Sequence, residues 1–327
     1  MKSSPVILQN IRVRGLGEVI ESNWVEIGKQ SSFFSLPGGF NRRGFLHALQ
    51  TVNPPYVCRT QKPFAHYPLI TRQGKYTKRV RPHRRTISFA IFVGNPHVVE
   101  ELAAYTPDLY ETDRIEVGRR LDYSRWVNFV ELAGSTRWSE IEDSINALVK
   151  IHEATLDPQL RASLNTLDGT DRIVDGLLED LAGWLRLLIE KGREEKEKID
   201  QLLFLVERQH HFSRAKKFIR QRLPVFHIVN RQKVANRNEQ IEKKDLLPAV
   251  CEYIDSLLRV EKANGTAPVL LFDEPDLAKA KKVRQQLREY VAEISRKYQC
   301  IYLAAEEHGG EPPAGARCIT AADLLSD

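Results

Sequence analysis

The sequence predicts an α/β protein whose strands come from both ends of the chain and whose middle is helical. Three observations carry this. Val269–Asp276, VLLFDEPD, runs four apolar residues into an acidic pair and a proline, the pattern of a buried strand ending in a polar turn. Thr86–Val93, TISFAIFV, is a second strand by its β-branched and aromatic content. Between them, Trp138–Val149 and the run from Asp171 to about Gln209 place apolar residues at helical spacing.

In order along the chain, Val25-Glu26-Ile27 reads as a strand. Gly44–Gln50 reads as the start of a helix, with Leu36–Arg43, LPGGFNRR, as the loop before it. A Gly-Asn-Pro turn is expected after Val93, then short strands at Arg114–Val117 and Trp126–Val130. In the helical middle, Val174, Leu178, Leu181, Leu185 and Leu188 recur every three or four residues, and Ile199, Leu202, Leu203 and Val206 follow a charged GREEKEK stretch. That pattern predicts one long, partly exposed helix or a helix pair, too short in heptads for a long coiled-coil arm. Cys300–Leu303 reads as a further apolar strand.

At 327 residues, 42% hydrophobic and 28% charged, the chain can bury a substantial core, and the balance excludes disorder. It has no apolar run of 18 residues and no secretory segment at Met1–Pro5, so a cytoplasmic protein without a membrane partner is expected. Cys58, Cys251, Cys300 and Cys318 form no CxxC pair, and the adjacent His210 and His211 cannot face one ion from a helix, so no metal site is expected. The net charge of +6 is unevenly spread: Arg59–Arg85 holds nine Lys or Arg and no Asp or Glu, with Phe64, Tyr67 and Tyr76 interleaved. Arg72, Lys75, Lys78, Arg79, Arg81, Arg84 and Arg85 are its candidate nucleic-acid contacts, phosphate-neutralising charges beside stacking surfaces. A solvated hairpin or a contact for an acidic protein fits the same composition.

The segment VLLFDEPD resembles the strand of ABC-type ATPases that carries an aspartate to the Mg²⁺ shell and a glutamate to the attacking water; here these are Asp273 and Glu274. A plain core strand ending in a turn is the other reading. Registered on the phosphate loop of that family, Leu36 and Asn41 stand at the two glycines, Arg42 at the lysine and Arg43 at the metal-binding hydroxyl. Arginine can hold an anion with its planar fork but cannot coordinate Mg²⁺. Gly38, Gly39, Asn41 and Arg42 are thus the residues of a degenerate cofactor-binding loop. Together the two segments resemble the split head of the SMC, RecF and OLD-like branch of ABC ATPases, over about two thirds of the chain.

The resemblance implies an ABC-ATPase-like head, a mixed sheet joined from N- and C-terminal halves, with an inserted helical subdomain. Its expected parts are an N-terminal lobe over 1–135 with an antiparallel outer layer, a helical insertion over 136–222 and a C-terminal lobe over 223–327. Where the family carries a Ser-Gly signature, Asn236–Lys244 has no Ser-Gly pair. Where it carries a switch histidine, Ala304 and Ala305 stand, and His308 comes later.

These departures imply a head that binds nucleic acid and a partner protein, in a DNA-maintenance or anti-phage or anti-plasmid defence complex, without hydrolysing ATP. DNA and either a second copy or another subunit are its expected partners. No cofactor is expected, or ATP and Mg²⁺ if the loop works. The helix from Asp171 is the candidate interface, with the lobe faces near Arg42 second. Two other readings stay open: an active ATPase using Arg42 and Glu274, and a metal-dependent nuclease using Asp273, Glu274, Asp276, Glu306 and Glu307.

Overall fold

The computed structural model of the protein describes residues 6–16, 19–55, 84–103, 113–191, 195–235, 246–309 and 311–325. The chain opens with β1 (Val6–Leu16), β2 (Val19–Glu21), β3 (Val25–Glu26), β4 (Ser31–Leu36), α1 (Arg42–Val52), β5 (Thr86–Gly94), α2 (Pro96–Ala103), β6 (Arg114–Arg120) and β7 (Arg125–Phe129). Helices follow: α3 (Glu142–His152), α4 (Pro158–Leu164), α5 (Asp175–Glu190), α6 (Lys196–Val206) and α7 (Arg208–Arg220). It closes with β8 (Val225–Val229), α8 (Arg231–Ala235), α9 (Leu246–Ala263), β9 (Pro268–Asp273), α10 (Glu274–Leu277), α11 (Lys281–Ile294), β10 (Gln299–Ala305), β11 (Arg317–Thr320) and α12 (Ala321–Leu324). Two compact units result, one from Met1–Val99, Thr112–Val130 and Arg220–Asp327, the other from Glu100–Glu111 and Glu131–Ile219.

In the first unit, the described strands form two sheets. One is antiparallel in the order β2-β1-β5-β6-β7, with β3 also on β1; the other is parallel in the order β11-β4-β10-β9-β8. β4, from the N-terminal half, lies between β10 and β11 of the C-terminal half, in register from Ser31 opposite Cys300 to Leu36 opposite Ala305. Parallel strands buried on both faces read as continuous apolar runs, which is why β9 is buried at every position. The two halves are also stitched by Gln299, whose carboxamide accepts from Leu8 N at 3.1 Å and donates to the carbonyls of Leu8 and Gly28 at 2.7 and 2.9 Å.

Between the sheets lies α1. It packs against β1 and β5 of one sheet and β8 of the other, and buries Phe45, Leu46, Ala48, Leu49 and Val52. Its polar end is satisfied within the sandwich: the Thr51 and Ser88 hydroxyls are 3.0 Å apart, Gln50 donates to Phe226 O at 3.2 Å, and Asn53 donates to Leu223 O and Pro224 O, both at 3.0 Å. This fixes α1, and so the loop at its start, against both halves of the chain.

Three sequence expectations shift. The strand entering the loop is β4, not Val25–Ile27, of which only Val25–Glu26 is a strand. Three serines hide β4 in the sequence, yet Ser31 and Ser32 are buried and the Ser32 hydroxyl accepts from Gly28 N at 2.8 Å. α1 begins at Arg42 rather than Gly44, because the Asn41 side chain accepts from Gly44 N at 2.9 Å and caps it. The Gly-Asn-Pro turn is a helix start: Asn95 Oδ1 accepts from Val98 N at 2.9 Å, and Pro96 takes the first helical position of α2.

The second unit is helical. The run from Asp171 is a pair, α5 and α6, with Leu178, Leu181, Leu185 and Leu188 of α5 packed in one core with Ile199, Leu202 and Val206 of α6. Among the described residues no helix is long and apolar enough to cross a membrane.

Across the antiparallel sheet Gly118 of β6 lies between Phe89 of β5 and Trp126 of β7. The Trp126 indole covers it, and an added Cβ would stand 2.3 Å from the ring. Gly118→Ala is therefore expected to destabilise the protein by about 1–3 kcal/mol through overpacking, read as a lower midpoint in thermal or denaturant unfolding.

Candidate functional site

The parallel sheet brings the end of β4 and the end of β9 to the same edge, with β10 between them. Three groups of residues meet there: the loop 37–41 with the start of α1, the acidic run Asp273–Asp276, and the 3-10 turn Glu306–His308 that follows β10.

Three backbone donors of the loop and the first turn of α1 are turned back onto the loop. Phe40 N donates to Pro37 O at 2.9 Å, Arg42 N to Phe40 O at 2.8 Å, and Gly44 N to the Asn41 cap. A phosphate cradle needs such N–H groups turned toward the anion. Gly38 is closed by a carboxylate, since a Cβ there would stand 2.6 Å from Oε1 of Glu307, while Gly39 faces open space.

The cations at the start of α1 face the acidic run. Arg42 Nε lies 3.9 Å from Asp273 Oδ1, and Arg43 Nη2 lies 3.8 Å from Asp276 Oδ1. Asp276 also accepts from Arg231 N at 2.8 Å, which ties α8 to the site. Asp273 is 8% exposed, and its Oδ1 has no hydrogen-bond partner. Burial, then the neighbouring charge of Asp276, push its carboxyl above the ordinary aspartate value, opposed by Arg42 and Arg43.

Glu274 is fully buried, at 0% exposure. Arg288 forks onto it, Nε to Oε2 at 2.7 Å and Nη2 to Oε1 at 3.1 Å, and the Tyr302 hydroxyl donates to Oε2 at 2.6 Å. Arg284 Nε and His308 Nδ1 stand 3.9 and 3.6 Å from Oε1. Burial, then the charge of Glu274 and its hydrogen bond, push the Tyr302 phenol up, so it remains a donor. A carboxylate held this way has no solvent-facing oxygen with which to take a proton from water.

The structure thus brings together Asp273, Glu274, Gly38, Asn41 and Arg42, and sets Glu307 against the loop. His308, which the sequence places late, follows β10 by a single turn and reaches Glu274. Arg288 and Tyr302 were missed. Their signals were an arginine at a core position of the helical pattern Leu287, Arg288, Val291, Ile294 and a tyrosine inside the apolar run of β10. Arg84 is exposed, and Arg85 accepts from Leu121 N through its carbonyl at 2.8 Å. Arg72, Lys75, Lys78, Arg79 and Arg81, with Phe64, Tyr67, Tyr76 and the segment Asn236–Lys244, lie outside the described residues. The nuclease reading is not supported: among the described residues no three His, Cys, Asp or Glu side chains could hold a metal ion together.

The acidic run meets two guanidinium groups, Glu307 covers Gly38, and Glu274 is engaged on both oxygens.

The first unit thus joins strands from both ends of the chain in two sheets, and the helical residues 131–219 are inserted between its parts in sequence. In structure the chain is similar to the Smc head domain with an extended coiled coil bound to the C-terminal domain of ScpA, from Pyrococcus furiosus, at 13% identity over 93% of this chain and 90% of that one, with a TM-score of 0.39. It is similar to the recombination mediator RecF with ATP at 10% identity over 99% and 97%, TM-score 0.37. A Smc head bound to the C-terminal winged-helix domain of ScpA gives 12% identity over 92% and 90%, TM-score 0.34. No family model matches the sequence, and no curated protein matches it.

Replacing Glu274 by Gln leaves the Arg288 cation buried without its counter-ion. Breaking a buried pair from one side costs about 3–5 kcal/mol, so Glu274→Gln is expected to lower the unfolding midpoint sharply in thermal denaturation. An unchanged midpoint refutes the structural role of this pair.

Proposed function

We propose that this chain is a degenerate ATPase-like head that serves as a binding subunit and does not hydrolyse ATP. The observation that carries the reading is Glu274, fully buried and held by Arg288 and Tyr302. The residue at the position of the general base has become part of the core, and the aspartate beside it faces arginine. In this reading the head docks onto DNA through the Arg59–Arg85 segment and assembles with a second copy or another subunit, through the helix from Asp171 or the faces near Arg42. Its setting is a cytoplasmic complex for DNA maintenance or for defence against phage or plasmids.

The test is ATP turnover by the purified protein, expected at no more than background with Mg²⁺ present. A rate on the order of 1 s⁻¹, ordinary for an enzyme, overturns the proposal. One observation favours a second reading, an active ATPase with a divergent loop: Asp273 Oδ1 is buried and has no hydrogen-bond donor, as a carboxylate awaiting a cation would be. Mg²⁺-dependent binding of a fluorescent ATP analogue separates the two. Tight binding supports the second reading, and absence of binding supports the first.

DNA docking has its own test. Replacing Lys78, Arg79, Arg81, Arg84 and Arg85 together by Ala is expected to weaken DNA binding equally for all sequences and to flatten the dependence of affinity on salt, measured in a gel-shift series. Unchanged affinity and slope rule out DNA as the partner of this segment.

A further inference from the structure

α7 opens a second cationic stretch, distinct from Arg59–Arg85. Between Glu207 and Glu239 the chain has no Asp or Glu and nine Lys or Arg. One face of α7 is committed to packing: Arg208, Phe212, Ala215, Phe218 and Ile219 are buried, and Arg208 pairs with Glu140 at 2.7 Å. His210, Ser213, Arg214, Lys217 and Arg220 are exposed. At 3.6 residues per turn these five share about a third of the helix circumference. All five can donate hydrogen bonds, and Arg214, Lys217 and Arg220 carry full charges.

Those three cations are unpaired among the described residues. Glu207, the nearest acid in sequence, is engaged by Arg186 and faces His211. An ordinary solvated face mixes both signs, as α6 does with Lys196, Glu197, Lys198 and Asp200. The α7 face holds one sign only. It also exposes no aromatic or aliphatic side chain that could anchor a protein interface, which favours a polyanion over an acidic protein. From Arg214 to Arg220 the helix rises about 9 Å. Measured along the duplex axis, one strand of DNA presents a phosphate about every 3.4 Å, so about three fall within that rise.

We propose that the exposed face of α7 is a track for the phosphate backbone of a nucleic acid, with Arg214, Lys217 and Arg220 each neutralising one phosphate. Such a face reads charge and spacing and makes no base contact, so binding through it is independent of sequence.

The experiment is equilibrium binding of the full chain to labelled duplex DNA across a salt series, for wild type and for the triple variant Arg214→Ala, Lys217→Ala, Arg220→Ala. All three side chains are exposed, and an unchanged far-UV spectrum and unfolding midpoint confirm that the fold is kept. The expected result is weaker binding for every sequence tried, with the slope of log affinity against log salt reduced by about 2.7, or 0.9 for each phosphate released. A triple Glu variant should weaken binding at physiological salt further than the triple Ala variant does. Wild-type affinity and slope in both variants overturn the proposal, as does a wild-type chain that binds no DNA at low salt. Loss of an acidic protein partner with DNA affinity intact assigns the face to that partner and also overturns it. The five-site variant of the Arg59–Arg85 segment is measured alongside. An effect confined to one variant supports that surface and rejects the other.

Discussion

The ion pair of Glu274 with Arg288 is the interaction on which the rest of the site depends. A carboxylate with no exposure survives in a fold only if both oxygens are compensated, and here the guanidinium fork takes both while Tyr302 adds a third donor. Arg288 then uses its remaining donors on the chain after β10, at Glu311 O (2.8 Å) and Gly309 O (3.1 Å). Its guanidinium lies 5.2 Å from the Phe33 ring centroid, and Phe33 stacks on Tyr302 at 5.7 Å. One buried cation therefore links the end of β9, α11, the turn after β10 and the centre of β4.

That arrangement changes the meaning of the acidic run. Asp273 and Glu274 are neighbours in sequence, but the turn from β9 into α10 sends them different ways. Glu274 goes inward to Arg288, and Asp273 stays at the sheet edge opposite Arg42. Side-chain cations thus face both Asp273 and Asp276. The exchange holds α1 to the end of β9 and to α10, because Arg42 and Arg43 open α1, Asp273 closes β9 and Asp276 follows in α10. These are long, loosely matched pairs whose Coulomb energy is modest beside that of the buried one. The core supplies the tighter constraint: α1 is packed on both sheets, so its first turn can face only the β9 edge.

A second buried pair, His227 Nε2 with Glu261 Oε1 at 2.9 Å, does for the outer edge of the parallel sheet what Arg288 does for its centre. Thr266 holds the other oxygen of Glu261, so the end of α9 is fixed beside β8. Burial raises the Glu261 carboxyl, but the bonds from His227 and Thr266 outweigh it and leave it below the ordinary glutamate value. A carboxyl lowered on folding contributes stability above its unfolded value, and that contribution is lost as pH falls through the folded one.

The class of the fold was legible in residue pattern alone. β9 and β5 announce themselves by continuous apolar or β-branched runs, and α5 and α6 by leucines every three or four residues, because burial on a strand or helix face leaves that periodicity in the chain. β4 was not legible, because its burial comes from β10 and β11 on either side, and the Ser32 hydroxyl meets Gly28 N only once the chain is folded. At the site, the presence of Leu36, Asn41, Arg42 and Arg43 in the loop before α1 could be read in line. The partners of Glu274 could not: Arg288 is 14 residues away and Tyr302 is 28. Pairing of Tyr302 with Phe272 in the parallel ladder brings the tyrosine beside the end of β9, and the packing of α11 on the sheet brings the arginine. The sequence alone determined which charges are present and which elements carry them. Which charge neutralises which, and which lies beyond the reach of water, was decided by strand register and helix packing, since Coulomb attraction and desolvation depend on distance and burial and not on separation along the chain.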